Sequence, residues 1–283
     1  MVKKLNNLKI NRRFIKCSKF LLDLFFPSFC VGCGDEGSLL CRKCQKGIIT
    51  VQAPICPECS KLSEDGRYCV RCRKDKELKG IIVATYYEEG PIKEMIHNFK
   101  YNHALELKKV LSDLLVQAYW RHSERSAFRH AESLANASSQ TSCEIPHQTV
   151  RDDDIKIDIV TFTPLHRRRL AERGFNQAEI LAHETARKLK LSCCDALVKT
   201  KSTKRQVGLT GQKRRQNLAG VFAVTKSLQA TMVAKQSKVE SLRGKKILII
   251  DDITTTGTTL NECAKILKSA GAKEVWGLVV ARG

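Results

Sequence analysis

Two adjacent carboxylates followed by a run of hydroxyls form the most chemically loaded stretch of the chain: Asp251 and Asp252, then Thr254, Thr255, Thr256, Gly257 and Thr258. Before them, Ile247–Ile250 is wholly apolar and suits a strand buried on both faces of a parallel sheet. After them, Leu260, Cys263, Ala264, Leu267 and Ala270 recur at helical spacing as far as Gly271, a helix stop. A strand turning tightly into a helix leaves unpaired backbone N–H groups and the positive end of the helix dipole at one spot, where an anion fits. Gly257 lets the backbone close in on that anion, and the threonine hydroxyls add donors. The two aspartates would repel a bare phosphate, but they suit sugar hydroxyls or a hydrated Mg2+. The expected ligand therefore carries phosphate and ribose together, with Asp251 and Asp252 as the candidate catalytic pair. Crowded at a strand end, the two carboxylates repel each other, so removing both is expected to leave the fold stable. A Walker B reading fails because the chain has no G-x-x-x-x-G-K-[ST] loop.

A second chemistry is written in the cysteines. Eight of the thirteen form four C-x-x-C pairs: Cys30 with Cys33, Cys41 with Cys44, Cys56 with Cys59, and Cys69 with Cys72. Each pair puts two thiolates on one turn, and two turns complete the tetrahedral sulfur shell that Zn2+ favours in structural sites. Two zinc ions per chain follow, assigned sequentially as the economical choice, with an interleaved cross-brace open and iron as a lesser alternative. Disulfides are disfavoured because nothing else in the sequence points to an oxidising compartment. Gly32, Gly34 and Gly37 match G-x-G-x-x-G by letter, but they sit inside a cysteine knuckle rather than between a strand and a helix.

A third cluster is basic. Ile155–Thr163 reads as a strand, and past its end come Arg167, Arg168, Arg169, Arg173 and Gly174, at the edge where open α/β sheets bind ligands. Guanidinium forks there suit phosphate or pyrophosphate oxygens. Gln177–Leu189 follows as an amphipathic helix. From Lys199 to Arg215 there are seven basic residues and no acidic one, with Gly208 and Gly211 between them.

The stretch IIDDITTTGTT resembles the motif with which type I phosphoribosyltransferases bind phosphoribosyl pyrophosphate (PRPP). Together with the cysteine pairs, the segments Pro164–Ala182 and Lys204–Phe222 resemble the ComF family of competence-related proteins, and the likeness runs from about Phe25 to Gly283. The resemblance implies an α/β fold: a type I phosphoribosyltransferase-like parallel sheet flanked by helices, with a small N-terminal zinc-ribbon module. It implies a reaction at the anomeric carbon of PRPP, with Mg2+ neutralising the leaving pyrophosphate. It implies that Arg167, Arg168, Arg169, Arg173 and Gly174 form the pyrophosphate loop of that fold. It also implies a mobile loop closing over PRPP that includes Arg205, Gln206, Arg214, Arg215 and Asn217. The family's role in natural transformation implies single-stranded DNA and the DNA-uptake machinery as partners. Two function classes follow: a PRPP-binding factor in DNA uptake, and an active transferase on an unidentified small-molecule acceptor in nucleotide metabolism.

The elements that must position these residues divide the chain into three. Residues 1–28 read as a basic amphipathic helix, 29–78 as the double zinc-ribbon module, and 79–283 as the phosphoribosyltransferase-like domain, with flexible insertions at about 121–154 and 225–243. In that domain a strand is expected from Lys79, a helix after Gly90-Pro91 through Lys100, a helix over Leu105–Trp120, and a last strand over Val275–Val280. Lys and Arg outnumber Asp and Glu by 50 to 29, a formal charge of +21 that predicts attraction to polyanions. The N-terminal apolar segment FLLDLFF is broken by Asp23 and lacks a cleavage site, which argues against a signal peptide. No run approaches the ~18 apolar residues of a membrane span. The expected location is cytoplasmic.

Overall fold

A computed structural model of the chain describes residues 28–138, 156–201, 220–225 and 242–283. The predicted N-terminal helix, the loop residues Arg205, Gln206, Arg214, Arg215 and Asn217, and residues 139–154 and 226–241 of the two predicted insertions lie outside the described residues. In chain order the elements are α1 (Arg42–Lys46), β1 (Gly80–Tyr86), α2 (Ile92–Tyr101), α3 (Leu107–Ser138), β2 (Ile159–Phe162), α4 (Arg167–Arg173), α5 (Gln177–Leu189), β3 (Ser192–Cys193), β4 (Leu197–Lys199), β5 (Phe222–Val224), β6 (Lys246–Thr254), α6 (Thr258–Ser269) and β7 (Glu274–Arg282).

Five strands form one sheet in the order β1-β7-β6-β2-β3, every pairing parallel. Parallel strands need crossovers that cover both faces, so their side chains alternate between two buried layers. In β6, Leu248 and Ile250 join a cluster with α2, α3 and α5, whereas Ile247 and Ile249 join one with α6 and the β4–β5 hairpin. All four are fully buried, and each such side chain contributes about 1.5–3 kcal/mol on leaving water. The acid pair is thereby held at the C-terminal edge of a central strand.

The cysteine module is built into this body. Thr50 bridges Thr85, the Val51 N–H donates to the Ala84 carbonyl at 2.9 Å, and Arg67 bridges Gly80, so the module covers the edge of β1 that β7 leaves open.

Three elements differ from the sequence reading. β6 does not stop at the aspartates but continues to Thr254, because β7 reaches Arg282 and pairs Ile253 with Ala281 and Thr254 with Arg282. The arginine-rich segment is a helix, α4, rather than a loop. His166 caps it by accepting the Arg168 N–H at 3.3 Å, and Gly174 (φ 77°) ends it in the left-handed conformation that glycine tolerates. α3 continues past Trp120 to Ser138, since the Glu, Arg and Ala of that stretch favour helix even without an apolar stripe.

Candidate functional site

The loop after β6 is closed by its own side chains. Gly257 (φ 74°) is the N-cap residue of α6 and gives that helix no side-chain cap, so the dipole end and first-turn N–H groups are left for a ligand. The Gly257 N–H donates to Thr254 Oγ1 at 3.1 Å, and the Thr256 and Thr258 hydroxyls are 2.7 Å apart. Thr255 is exposed, while Thr254 is buried beneath the turn.

The aspartates have different surroundings. Asp252 is 8% exposed and forms an ion pair with Lys100 from the last turn of α2. Burial opposes the Lys100 charge, but the Asp252 carboxylate more than offsets this and holds its pKa above the ordinary value. Asp251 is half-buried, and its Oδ1 accepts the Asp252 N–H at 2.9 Å. Burial, with the Asp252 carboxylate beside it, pushes the Asp251 pKa up to about 8. The two aspartates thus act on each other, as the sequence suggested, but Asp252 is also matched by the Lys100 ammonium. The balance at Asp251 favours the protonated form. Removing Asp252 would strand a buried lysine. Two hard oxygen donors at a strand end fit a hydrated Mg2+, with Asp252 already shared with Lys100.

In α4, Arg173 lies near enough to Lys100 for its charge to act on that ammonium. Its guanidinium donates to Gln177 Oε1 and to the Tyr101 hydroxyl, both at 3.0 Å, and sits 4.8 Å from the centre of the Tyr101 ring, next in sequence to Lys100. Arg169 is half-buried, and its charge, after burial, helps depress the pKa of Lys199 in β4. Arg167 and Arg168 are exposed, Arg168 pairing with Glu172 at 3.2 Å. Gly174 is the C-cap of α4. Sequence reasoning missed Lys100 as a site residue, for its only local signal is a basic residue in a helix's last turn.

The eight cysteines gather sequentially: Cys30, Cys33, Cys41 and Cys44 in one cluster, Cys56, Cys59, Cys69 and Cys72 in the other, with sulfurs within 4.8 Å of one another in each. A tetrahedral shell with Zn–S bonds of ~2.3 Å has edges of ~3.8 Å. Cys33 and Cys41 sulfurs are 3.7 Å apart, and those of Cys59 and Cys69 are 3.8 Å apart. The Cys41 N–H points at Cys30 Sγ and the Cys69 N–H at Cys56 Sγ, at 3.3 and 3.5 Å. Burial works against ionising Cys30 and Cys56, but backbone N–H donors outweigh it and bring their pKa values down to about 6 and about 7. Sulfurs at tetrahedral spacing with backbone N–H groups aimed at them suit a structural zinc.

The family profile of the phosphoribosyl transferase domain matches residues 176–283, and that of the double zinc ribbon domain matches residues 21–73. Fold and site therefore define a class: a phosphoribosyltransferase-type sheet carrying a double zinc ribbon. Competence protein F of Haemophilus influenzae is 29% identical over 269 residues, covering 91% of this chain and 99% of its own. DNA utilization protein YhgH of Escherichia coli K12 is 25% identical over 244 residues, covering 84% and 89%. Competence protein ComFC of Streptococcus pneumoniae is 26% identical over 244 residues, covering 85% and 86%. Over most of its length the chain is similar to these ComF-type competence and DNA-utilization proteins, and it carries both of the domains matched above. Among the described residues no helix is long and apolar enough to cross a membrane.

Proposed function

We propose that this chain binds PRPP at the C-terminal edge of its sheet and acts in the cytoplasm on single-stranded DNA during natural transformation. The observation that carries the ligand is the uncapped N-terminus of α6, entered through Gly257 and set directly after a two-aspartate strand end. In this reading the first turn of α6 and the hydroxyls of Thr255, Thr256 and Thr258 hold the 5'-phosphate. Asp251 and Asp252 take the ribose hydroxyls, and Lys100 and Arg173 face the pyrophosphate. Asp251 accepts hydroxyls more strongly once ionised, so its raised pKa favours binding at higher pH. Asp251 and Asp252 would also hold Mg2+ through its water shell; when bound, it neutralises charge on the pyrophosphate. The formal charge of +21 supports the DNA half of the proposal.

Calorimetric titration with PRPP, ribose 5-phosphate and inorganic phosphate tests the ligand, and pyrophosphate release with and without single-stranded DNA tests turnover. PRPP should bind at least tenfold more tightly than either fragment. Equal affinity for PRPP and inorganic phosphate would overturn the reading.

A further inference from the structure

The two cysteine clusters are set into different parts of the body. The first packs Val31, Leu39 and Leu40 against the layer that holds α2 and α3, and Gly32 lies against Pro91 at the start of α2. The second belongs to the other layer: Cys56 and Tyr68 are buried in one cluster with Leu260, Cys263, Ala264 and Val279, and Cys69 and Cys72 pack against it.

Three contacts tie that second cluster to the loop after β6. Arg282 donates to the Cys56 carbonyl at 3.0 Å and to Ser60 Oγ at 2.8 Å. In the β6–β7 register Arg282 faces Thr254, the residue whose hydroxyl takes the Gly257 N–H. Asn261 in the first turn of α6 is 5% exposed, and its Oδ1 accepts the N–H groups of Glu77 and Leu78, just past the last cysteine knuckle. Tyr68, one residue before Cys69, backs the glycine itself. A Cβ on Gly257 would come within 2.7 Å of the Tyr68 hydroxyl and 2.7 Å of Ile81 Cδ1. Tyr68 is 6% exposed and its hydroxyl has no hydrogen-bond partner among the described residues, so the ring is held there by packing and by the knuckle that carries it.

We propose that the second cysteine cluster is the support on which the loop Thr254–Thr258 is held, with Tyr68 and Arg282 as its positioning residues. Metal at Cys56, Cys59, Cys69 and Cys72 and a phosphoribosyl ligand at the loop then raise each other's affinity. Linkage requires the effect to be reciprocal, and couplings of this kind commonly amount to five- to 150-fold. The ligand half rests on the PRPP reading above; the support itself does not.

The test uses the full-length protein carrying two zinc ions. A chelator challenge followed with a zinc-sensitive dye should show two release phases, one of which Cys69→Ser removes. PRPP with Mg2+ should slow that phase about tenfold and leave the other unchanged. In Arg282→Met, which keeps the apolar stem and both zinc ions, the protection should fall below twofold; in Tyr68→Phe it should fall part of the way. PRPP that binds by calorimetry yet slows both phases equally, or neither, overturns the coupling while leaving PRPP binding intact. Should PRPP not bind at all, amide hydrogen exchange decides: residues 255–261 should exchange at least tenfold faster in Cys69→Ser than in wild type and no faster in Cys41→Ser. Equal exchange in the two variants overturns the support.

Discussion

Replacing Asp251 by asparagine keeps the shape of the side chain and deletes one ionisation. Burial and the Asp252 carboxylate push the Asp251 pKa up to about 8, against about 3.9 in an unfolded chain. Between those values the folded chain retains a proton that the unfolded chain has released. The unfolded state binds fewer protons there, so stability falls as pH rises, by at most about 1.4 kcal/mol per pH unit. From pH 5 to pH 7 the ceiling is about 3 kcal/mol. The change should stay below that ceiling, which takes the folded chain as fully protonated and the unfolded chain as fully ionised throughout the interval. Below about pH 4 both states are protonated and the penalty is absent; above about pH 8 both are ionised and the slope vanishes. Urea unfolding of wild type and Asp251→Asn at pH 5, 6, 7 and 8, at fixed zinc and ionic strength, measures the effect as a difference. The titration of the cysteine ligands cancels in that difference. Asp251→Asn should gain on the wild type steadily across the range, and parallel pH profiles would refute the reasoning.

Other outcomes follow from the same geometry. Asp252→Ala leaves Lys100, with its side chain 17% exposed, charged and unpaired, at a cost of about 3 kcal/mol; adding Lys100→Met should recover most of it. A double variant no more stable in urea than the single would show that the pair is not coupled. Protein purified without chelator should contain two zinc ions per chain by metal analysis, and its absence there would remove the metal assignment. Single-stranded DNA neutralising about five phosphates on the basic surface should lose about a hundredfold in affinity between 50 and 200 mM salt, and a flat salt response would argue against DNA.

Much of the fold was legible because it is written locally. The apolar run of β6, the limits Gln177–Leu189 of α5 and the C-x-x-C pairs each depend on neighbours a few residues away. The site was legible only in part. Asp251, Asp252 and Gly257 carry a turn chemistry visible in sequence, but Lys100, Tyr68, Asn261 and Arg282 acquire their meaning from partners on other elements. No periodicity encodes such pairings. α4 escaped for a different reason: seven residues dominated by arginine have no apolar face, and what makes them helical is the cap at each end.

The pairing of β1 with β7 has a consequence for the order in which the chain can fold during synthesis. The Thr85 hydroxyl donates to the Val280 carbonyl at 2.7 Å across 195 residues of sequence. All eight clustered cysteines precede β1. They leave the ribosome first and can capture metal while most of the sheet is still unmade. The Thr50–Thr85 bridge and the Val51 N–H then shield one side of β1 early, but its other side stays open until residues 274–282 emerge. A pairing so distant in sequence closes late, after nearly all of the loop-closure entropy has been lost. Translation halted before residue 274 would leave a metal-loaded nascent chain presenting the bare apolar edge of Gly80–Tyr86, the kind of surface on which other chains add as strands.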